Sequence, residues 1–418
     1  MRVSELGPDA RATELRALVP EVRDVEDAVR AIVDEVRAGG DAALLRLTKR
    51  YDGAALRADQ LRVPAAELDA AIGALDPQVA GALRTAIANV GIVVEAQLGE
   101  EVALELPEGQ RVEIAELAVR RAALCVPAAR APLVSTLVML AVTARAAGVD
   151  QIAVCASPAP GGGVYPAILA ACALCGVGEV YRIGGAQAIA ALAYGTESVP
   201  AVDLIAGPGG PWVQEAKRQV TGTVGIDGVA GPSELVVVAG AGEDDEAIAL
   251  DLLAQAEHGD DGLLALISPD RTLIAAVRAA VERMAPERPT VANAPLVLVH
   301  ARDARSAVAL ADALAPEHLQ LVGPESEALA GSVRAAGCLF VGADAANAFG
   351  DYVAGSNAVL PTGGAARFQS AVSAATFRRR MARVSLPAGA ARRLARPGAA
   401  LARAEGFPVH AESMEQRA

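Results

Sequence analysis

The chain is poor in the residues that most often act in catalysis or cross-link small folds. It has four histidines, five cysteines and 3% aromatic residues in a length of 418. An odd number of cysteines in apolar surroundings argues against a disulfide framework and favours reduced thiols in a cytoplasmic protein. Cys172 and Cys175 form a CxxC pair in an apolar helical run that lacks a second Cys or His pair. A buried core helix is therefore favoured there over a zinc or redox site.

The chain also lacks basic clusters and long uncharged runs. Its formal net charge is −13, and its block of three arginines, 378–380, is interpreted as a solvated helix face. Nucleic-acid binding needs a basic surface and is not predicted. The N-terminus has charged residues where a signal peptide has an apolar run. No uncharged apolar run of about 18 residues is bounded as a membrane span, so no membrane contact is predicted.

Apolar residues are abundant, at 53% of the sequence, and the first third has the periodicity of helices. One helix face is formed by residues spaced four, three and four apart: Val25, Val29, Ile32 and Val36. Gly39-Gly40 predicts the end of this helix, and Asp41 is the predicted N-cap of the next, over 42–50. A further helix is predicted over 77–98.

From about residue 120, short β-branched runs alternate with alanine-rich helical segments. The predicted strands are 122–126, 151–156, 179–183, 202–205, 235–239, 263–267, 296–300, 319–322 and 338–341. The helices between the first four are predicted over 132–147, 165–175 and 187–193. This alternation predicts two units with parallel sheets covered by helices. The strand pattern stops after about residue 370, which predicts a helical tail.

Two glycine-rich loops follow predicted strands of the first unit. They are Gly184-Gly185 and the segment 207–210, and ligands of open α/β sheets bind at the carboxyl ends of strands. No strand–GxGxxG–helix sequence is present, since the three glycines at 161–163 follow a proline-containing turn. An ordinary dinucleotide phosphate loop is therefore not predicted.

Three of the four histidines stand in short polar segments. Gln255 and His258 are three residues apart at the end of a predicted helix, so both can face one site, whereas Glu257 points elsewhere. The alternative is a histidine placed favourably at a helix C-terminus. Glu317 and His318 are adjacent before an apolar strand and offer two groups for proton transfer. The alternative is an exposed loop pair.

Asp351 and His410 belong to the remaining polar segments. Asp351 lies in a glycine-rich loop, where an aspartate is usually a turn former. Glu405 and His410 lie in the tail, where side chains are usually solvated. Taken together, one glutamine, two histidines and one aspartate supply two nitrogens and two oxygens, which suit a divalent metal such as zinc. A Glu-His pair stays free for acid–base chemistry.

Several long strings resemble the histidinol dehydrogenase family, from about residue 20 to His410. They are GGAQAIAALAYGTESVP at 184–200, AGPSE at 230–234, and the segments 251–259, 315–320 and 350–362. The resemblance implies oxidation of L-histidinol to L-histidine through the aldehyde, the last steps of histidine biosynthesis. It also implies NAD as the oxidant, a bound zinc and a homodimer.

The resemblance also implies roles for particular residues. Four of them would hold zinc: Gln255, His258, Asp351 and His410. The last of these would be His410 of the partner subunit, reached by exchange of the tails. Glu317 and His318 would be catalytic, with His318 taking protons from the alcohol and Glu317 activating water for attack on the aldehyde. Substrate would contact the zinc ligands and His318, and two further positions, Ser233 and Glu405. Gln187 would contact the cofactor.

The chain departs from the family's pattern near both ligands. Ala358 stands where the family normally carries a histidine at the substrate end of the site. On the cofactor side, Cys125 replaces an aromatic residue, Ala128-Ala129 replace two glycines, and Gly210 replaces an asparagine. One lost hydrogen bond to a polar or charged substrate group costs about 1.5–3 kcal/mol, roughly ten- to a hundredfold in binding.

Three interpretations of function remain at this point. The first is oxidation of histidinol with zinc and NAD. The second is a family paralogue that oxidises another small amino or hydroxy alcohol. The third is a binding protein that retains zinc without redox turnover, which the replacements at Cys125, Gly210 and Ala358 favour.

The predicted fold class is α/β, with two Rossmann-like parallel-sheet domains and helical extensions at both ends. Residues 1–19 are predicted to form an N-terminal extension. The first α/β domain, 20–124 with 234–369, would carry the catalytic and metal residues. The second, 125–233, would lie on the cofactor side, and the tail, 370–418, would contact the partner subunit.

Overall fold

The computed structural model describes residues 1–20, 24–99, 101–127, 131–159 and 161–418. Its strands are β1 (Arg2–Leu6), β2 (Val102–Glu105), β3 (Arg111–Ala118), β4 (Arg121–Val126), β5 (Gln151–Ala156), β6 (Glu179–Tyr181), β7 (Leu204–Ala206), β8 (Gly225–Ile226), β9 (Glu234–Ala239), β10 (Leu263–Ser268), β11 (Pro295–His300), β12 (His318–Val322), β13 (Cys338–Val341) and β14 (Arg378–Ser385). Its α-helices are α1 (Ala12–Arg16), α2 (Glu26–Asp52), α3 (Ala58–Leu61), α4 (Ala65–Ala74), α5 (Pro77–Ala96), α6 (Val134–Ala146), α7 (Pro166–Leu174), α8 (Gly185–Tyr194), α9 (Pro211–Val220), α10 (Asp245–Ala256), α11 (Arg271–Met284), α12 (Ala304–Leu314), α13 (Pro324–Glu327), α14 (Asn347–Tyr352), α15 (Ala388–Ala404) and α16 (Pro408–Glu415).

The larger sheet has six parallel strands in the order β1-β11-β10-β9-β12-β13. Every residue of β9, β10 and β12 is buried, as expected for strands covered on both faces. Helices α10 and α11 cover one face, and α1 and α12 cover the other. The edge strand β1 lies in the segment predicted as an N-terminal extension, so residues 2–6 are part of this sheet.

The second sheet has five parallel strands in the order β6-β5-β4-β7-β8. Helices α4, α5, α6 and α7 contribute to the core on one face, while α2, α8 and α9 cover the other. The two sheets confirm the predicted α/β class with two parallel-sheet units.

Helices α2, α4 and α5 pack against the five-stranded sheet. Val29 and Leu44 of α2 share a core with Cys155, while Leu83 and Val90 of α5 belong to the core on the opposite face. The sequence prediction grouped these helices with the other sheet. Periodicity identifies the apolar face of a helix, but it does not tell which sheet covers that face.

A third, antiparallel sheet has the strand order β14-β3-β2. The prediction that no strand follows residue 370 is therefore wrong, and the arginines at 378–380, interpreted as a helix face, begin β14. This strand is mostly exposed and has no alternating apolar pattern. Its conformation depends on backbone pairing with β3 and on cross-strand ion pairs such as Arg380–Glu116 at 2.9 Å.

The predicted break at Gly39-Gly40 is confirmed as a kink inside α2. Gly40 has a φ of 53°, and a Cβ there would lie 2.4 Å from a carboxylate oxygen of Glu197. Asp41 does not act as the predicted N-cap. Its carboxylate accepts from the backbone N and hydroxyl of Ser198, at 3.1 and 2.5 Å, and so ties α2 to the loop after α8.

Helix α5 has the length and apolar composition of a membrane-crossing segment, and 22% of its most apolar window is buried. The buried residues Leu83, Ala86, Val90 and Val94 form one face, which packs against α6. A core helix of a soluble protein has the same length and composition. The absence of membrane contact therefore stays a prediction.

Candidate active site

The Glu317–His318 pair lies at the amino end of β12, beside the amino end of β9. Both side chains are buried, with 7% and 2% of their residue surfaces exposed. The alternative of an exposed loop pair is therefore wrong. Parallel pairing sets His318 opposite Leu235 and brings the pair next to Ser233 and Glu234.

The Glu317 carboxylate is held in one orientation. Its Oε2 accepts a hydrogen bond of 2.5 Å from the Ser233 hydroxyl and one of 2.8 Å from the Glu234 backbone N. Ser233 Oγ in turn accepts from Gln255 Nε2 at 2.6 Å. Glu317 Oε1 has no hydrogen-bond partner within the part of the chain described, so it is available to a ligand or water.

The His318 ring is held by a backbone carbonyl and an aromatic face. Nδ1 lies 3.0 Å from the carbonyl oxygen of Glu234, which assigns the proton to Nδ1 and leaves the Nε2 lone pair for base chemistry when the ring is neutral. Nε2 lies 3.5 Å from Asp351 Oδ1, and the ring stacks on Phe340. Burial lowers the pKa of His318, but the Glu317 and Asp351 carboxylates outweigh burial and hold this pKa above its ordinary value.

Three of the four predicted metal ligands are brought together by α10 and α14. Gln255 is in the last turn of α10, His258 follows its end, and Asp351 is on α14. His258 Nε2 and Asp351 Oδ2 are 3.9 Å apart, a separation that allows both to bind one ion. Glu257 points away, as predicted, and its carboxylate accepts from Thr290.

His410 is not brought to these residues within one chain. It is exposed on α16, where its ring contacts Phe407 with centroids 5.4 Å apart, and Glu405 is exposed at the end of α15. Among the described residues of a single chain, no group of three or more His, Cys, Asp and Glu side chains could hold a metal. The roles of His410 and Glu405 stay predictions that require a second subunit.

Asn347 is a site residue that the sequence reasoning missed. Its Nδ2 donates to Gln255 Oε1 at 2.8 Å, and its buried Oδ1 has no hydrogen-bond partner in the described chain. A relay of donors therefore runs from Asn347 through Gln255 and Ser233 to Glu317. Asn347 and Asp351 are four residues apart on α14, so helical spacing from Asp351 was the signal that could have found it.

Ala358 is partly buried and packs against the core that contains α5 and α6. An alanine at this position offers only apolar contact. The location of this position at the substrate end of the site stays a prediction.

His300, to which the sequence analysis gave no function, is the last residue of β11. It lines a separate cavity of about 460 Å³ with Arg271 and Arg278. Its Nδ1 is buried and has no hydrogen-bond partner among the described residues.

The predicted cofactor positions meet at the carboxyl ends of β4, β5 and β7. A cavity of about 310 Å³ is lined by Cys125, Gln187 and Gly210, together with Tyr51, Asp52 and Trp212. The structure thus brings the three predicted positions together, while Ala128-Ala129 lie outside the described residues. Gly207 precedes the lining residues Pro208, Gly209 and Gly210, and it packs closely on Cys125, because a Cβ at this position would clash with the Cys125 carbonyl oxygen.

Asp52, which lines this cavity, is a second residue that the sequence reasoning missed. Burial raises the pKa of its carboxyl to about 6, and a hydrogen bond of 3.0 Å from Gln187 Nε2 offsets only part of that rise.

Cys125 and Cys155 face each other on neighbouring strands with their sulfur atoms 3.3 Å apart, as free thiols. Neither Asp52 nor Cys155 has a sequence motif that would have marked it.

A buried ion pair fixes the loop after β7. Lys217 Nζ contacts Asp227 Oδ1 at 2.5 Å and the Gly207 carbonyl oxygen at 3.0 Å, while Asp227 Oδ2 accepts from Gly207 N at 2.7 Å. The two charged side chains are 1% and 6% exposed. The pair therefore positions one wall of the cavity.

Lys217→Met is expected to destabilise the fold by about 3–5 kcal/mol, because it leaves the Asp227 carboxylate buried without its partner. Denaturant unfolding measures the loss. The matched control is Lys217→Met with Asp227→Leu, which removes both charges and is expected to recover most of the stability. Equal unfolding midpoints for Lys217→Met and the unchanged protein would contradict the expectation.

A model of the histidinol dehydrogenase family matches residues 17–418. The chain belongs to the histidinol dehydrogenase family. Histidinol dehydrogenase of Synechococcus sp. is 42% identical over 399 residues, covering 94% of this chain and 92% of that protein. That of Rhizobium meliloti is 42% identical over 400 residues, with the same coverage of 94% and 92%. The crystal structure of histidinol dehydrogenase from Elizabethkingia anophelis is 29% identical and has a TM-score of 0.92 over 100% of this chain and 98% of that one.

Membership of this family identifies the chain as an oxidoreductase. It confirms the resemblance identified from the strings at 184–200 and 230–234. The match also covers the tail with Glu405 and His410, since it extends to residue 418.

Proposed function

We propose that the chain oxidises L-histidinol to L-histidine through the aldehyde, with NAD as oxidant and a bound zinc. The observation that carries the proposal is the buried Glu317–His318 pair beside Gln255, His258 and Asp351 in a member of this family. The free, mostly buried cysteines fit a reducing cytoplasm.

In the first oxidation, His318 Nε2 is the atom that accepts the alcohol proton. A base within about 3 Å of the hydroxyl makes the loss of hydride from the adjacent carbon favourable. The Nδ1 contact with the Glu234 carbonyl keeps the ring in the tautomer that this step requires. His318 must be unprotonated to act as a base. The nearby Asp351 carboxylate raises the pKa of His318 and so favours the protonated ring. If Asp351 bound the metal, its charge would favour the protonated form of His318 less.

In the second oxidation, Glu317 has a different task. Water must add to the aldehyde before a second hydride can leave, and Glu317 Oε1 would take the proton from that water. Ser233 and the Glu234 amide hold Oε2, so the carboxylate does not turn away during the step. Nicotinamide, when bound, would accept one hydride in each oxidation.

The metal would be held by Gln255, His258, Asp351 and His410 of the partner subunit. The two oxygens and two imidazoles form a donor set suited to zinc. Gln255 already accepts from Asn347, which fixes the orientation of its amide as a supporting contact does for a metal ligand. Zinc, when bound, would anchor the amine and imidazole of the substrate. This assignment requires a homodimer in which the tails are exchanged.

The test uses the purified protein with zinc, histidinol and NAD. We expect about two NADH for each histidinol consumed, because each of the two oxidations releases one hydride. A panel of small amino and hydroxy alcohols is the comparison, because Ala358 removes a polar contact from the substrate end. Faster turnover of another alcohol would favour the paralogue. Bound zinc with no NADH from any alcohol would favour a binding protein and overturn the proposal.

A further inference from the structure

Asp52 occupies an unfavourable position for a carboxylate. It is the last residue of α2, before the left-handed Gly53, where the negative end of the helix dipole opposes a negative side chain. Among the described residues, its one side-chain hydrogen bond comes from the neutral amide of Gln187. No described lysine or arginine pairs with it. A partly buried carboxylate held without a cation is typical of a group that serves a ligand.

The surroundings of Asp52 are those of a nucleoside site. Tyr51 and Trp212 line the same cavity, with ring centroids 6.1 Å apart and an interplanar angle of 44°. Both rings are partly exposed, so they can contact the flat face of a base. The N-cap residues of α8 and α9, Gly184 and Gly210, line the cavity, and helix N-termini suit the phosphates of a dinucleotide.

Beside such a ligand, a carboxylate acts as a hydrogen-bond acceptor and as a negative charge. It accepts hydrogen bonds and donates none when ionised, so it suits the two hydroxyls of a ribose. The same charge repels a phosphate ester at the ribose 2′ position. Burial strengthens this repulsion, because nearby charges are screened less than in water.

We propose that Asp52 is the specificity-determining residue of this cavity, where it binds the adenosine ribose hydroxyls of NAD and excludes the 2′-phosphate of NADP. The inference rests on the proposed use of the cavity by a nicotinamide dinucleotide. It adds the residue that selects between the two cofactors.

The single tryptophan of the chain makes binding measurable without turnover. Trp212 is the one tryptophan in the sequence and lines the cavity, so quenching of its fluorescence reports nucleotide binding directly. The experiment compares Kd for NAD and for NADP in the zinc-loaded protein, Asp52→Asn and the control Asp59→Asn. Asparagine keeps an acceptor for Gln187 and removes only the charge. Asp59 is an exposed carboxylate paired with Arg57.

We expect the unchanged protein and Asp59→Asn to prefer NAD by at least about tenfold, and Asp52→Asn to lower this ratio about tenfold, mainly through tighter NADP binding. The melting temperature of Asp52→Asn should not fall, since the substitution removes a charge from the negative end of a helix. A Kd ratio equal to that of the unchanged protein overturns the inference but leaves the proposed cofactor intact. If the unchanged protein binds neither nucleotide, both the inference about Asp52 and the proposed NAD function fail.

Discussion

Glu317→Gln is expected to stop the reaction after the first oxidation, so that the yield falls from about two NADH to about one for each histidinol. Loss of a general base lowers the rate of its step by about 10²- to 10⁴-fold, and only hydration of the aldehyde needs this carboxylate. Glutamine keeps an acceptor for Ser233 and the Glu234 amide, so the local hydrogen bonds survive. Single-turnover NADH formation and trapping of the aldehyde measure the outcome.

Two further variants make this result specific. His318→Gln should lose both oxidations, because loss of the base that takes the alcohol proton blocks the first, and the second then has no aldehyde to act on. Glu325→Gln, at an exposed position of α13, should leave both unchanged. Two NADH at an undiminished rate from Glu317→Gln would remove Glu317 from the mechanism. A loss of the first oxidation in that variant would make it part of the alcohol step.

A mixture of His258→Ala and His410→Ala subunits is expected to recover activity that neither variant has alone. If the tail supplies His410 to the partner's site, a mixed dimer carries both substitutions in one site and none in the other. Random exchange of subunits then gives roughly a quarter of the activity of the unchanged protein, because half of the dimers are mixed and each has one intact site. Activity after dissociation and reassociation measures the recovery.

Zinc content gives the same test independently of turnover. His258→Ala and His410→Ala should each lose the bound metal, since each removes one of four ligands. His300→Ala is the matched control, because His300 ends β11 and lines a different cavity. Recovery of neither zinc nor activity in the mixture would show that His410 does not act across subunits. Unchanged zinc in His258→Ala would remove it from the ligand set.

The helix–strand alternation was visible in the sequence because its cause is local. Strands covered on both faces need continuous apolar residues, and the runs at 235–239 and 263–267 have them. The structure has strands at β9 and β10 with these residues wholly buried. Strand β14 has no such run, since its side chains are mostly exposed, and it was missed.

Some site residues could be predicted from local spacing, and others could not. Helical spacing predicted that Gln255 and His258 share a face. The adjacency of Glu317 and His318 before a strand predicted a pair of groups for proton transfer. Asn347 and Asp52 were missed, because their functional contacts, to Gln255 and Gln187, join segments 92 and 135 residues apart. No local pattern encodes a contact across such a separation.

The sequence by itself determined the parallel α/β architecture, the family and the residue types available for acid–base and metal chemistry. These follow from apolar periodicity and from motifs carried in continuous segments. Only the tertiary structure decided that Glu317 is fixed by Ser233, that α2 covers the five-stranded sheet, and that Asp52 faces the cavity with Gln187. Burial and hydrogen bonding between distant segments decide these properties, and they depend on how the two sheets and their helices pack.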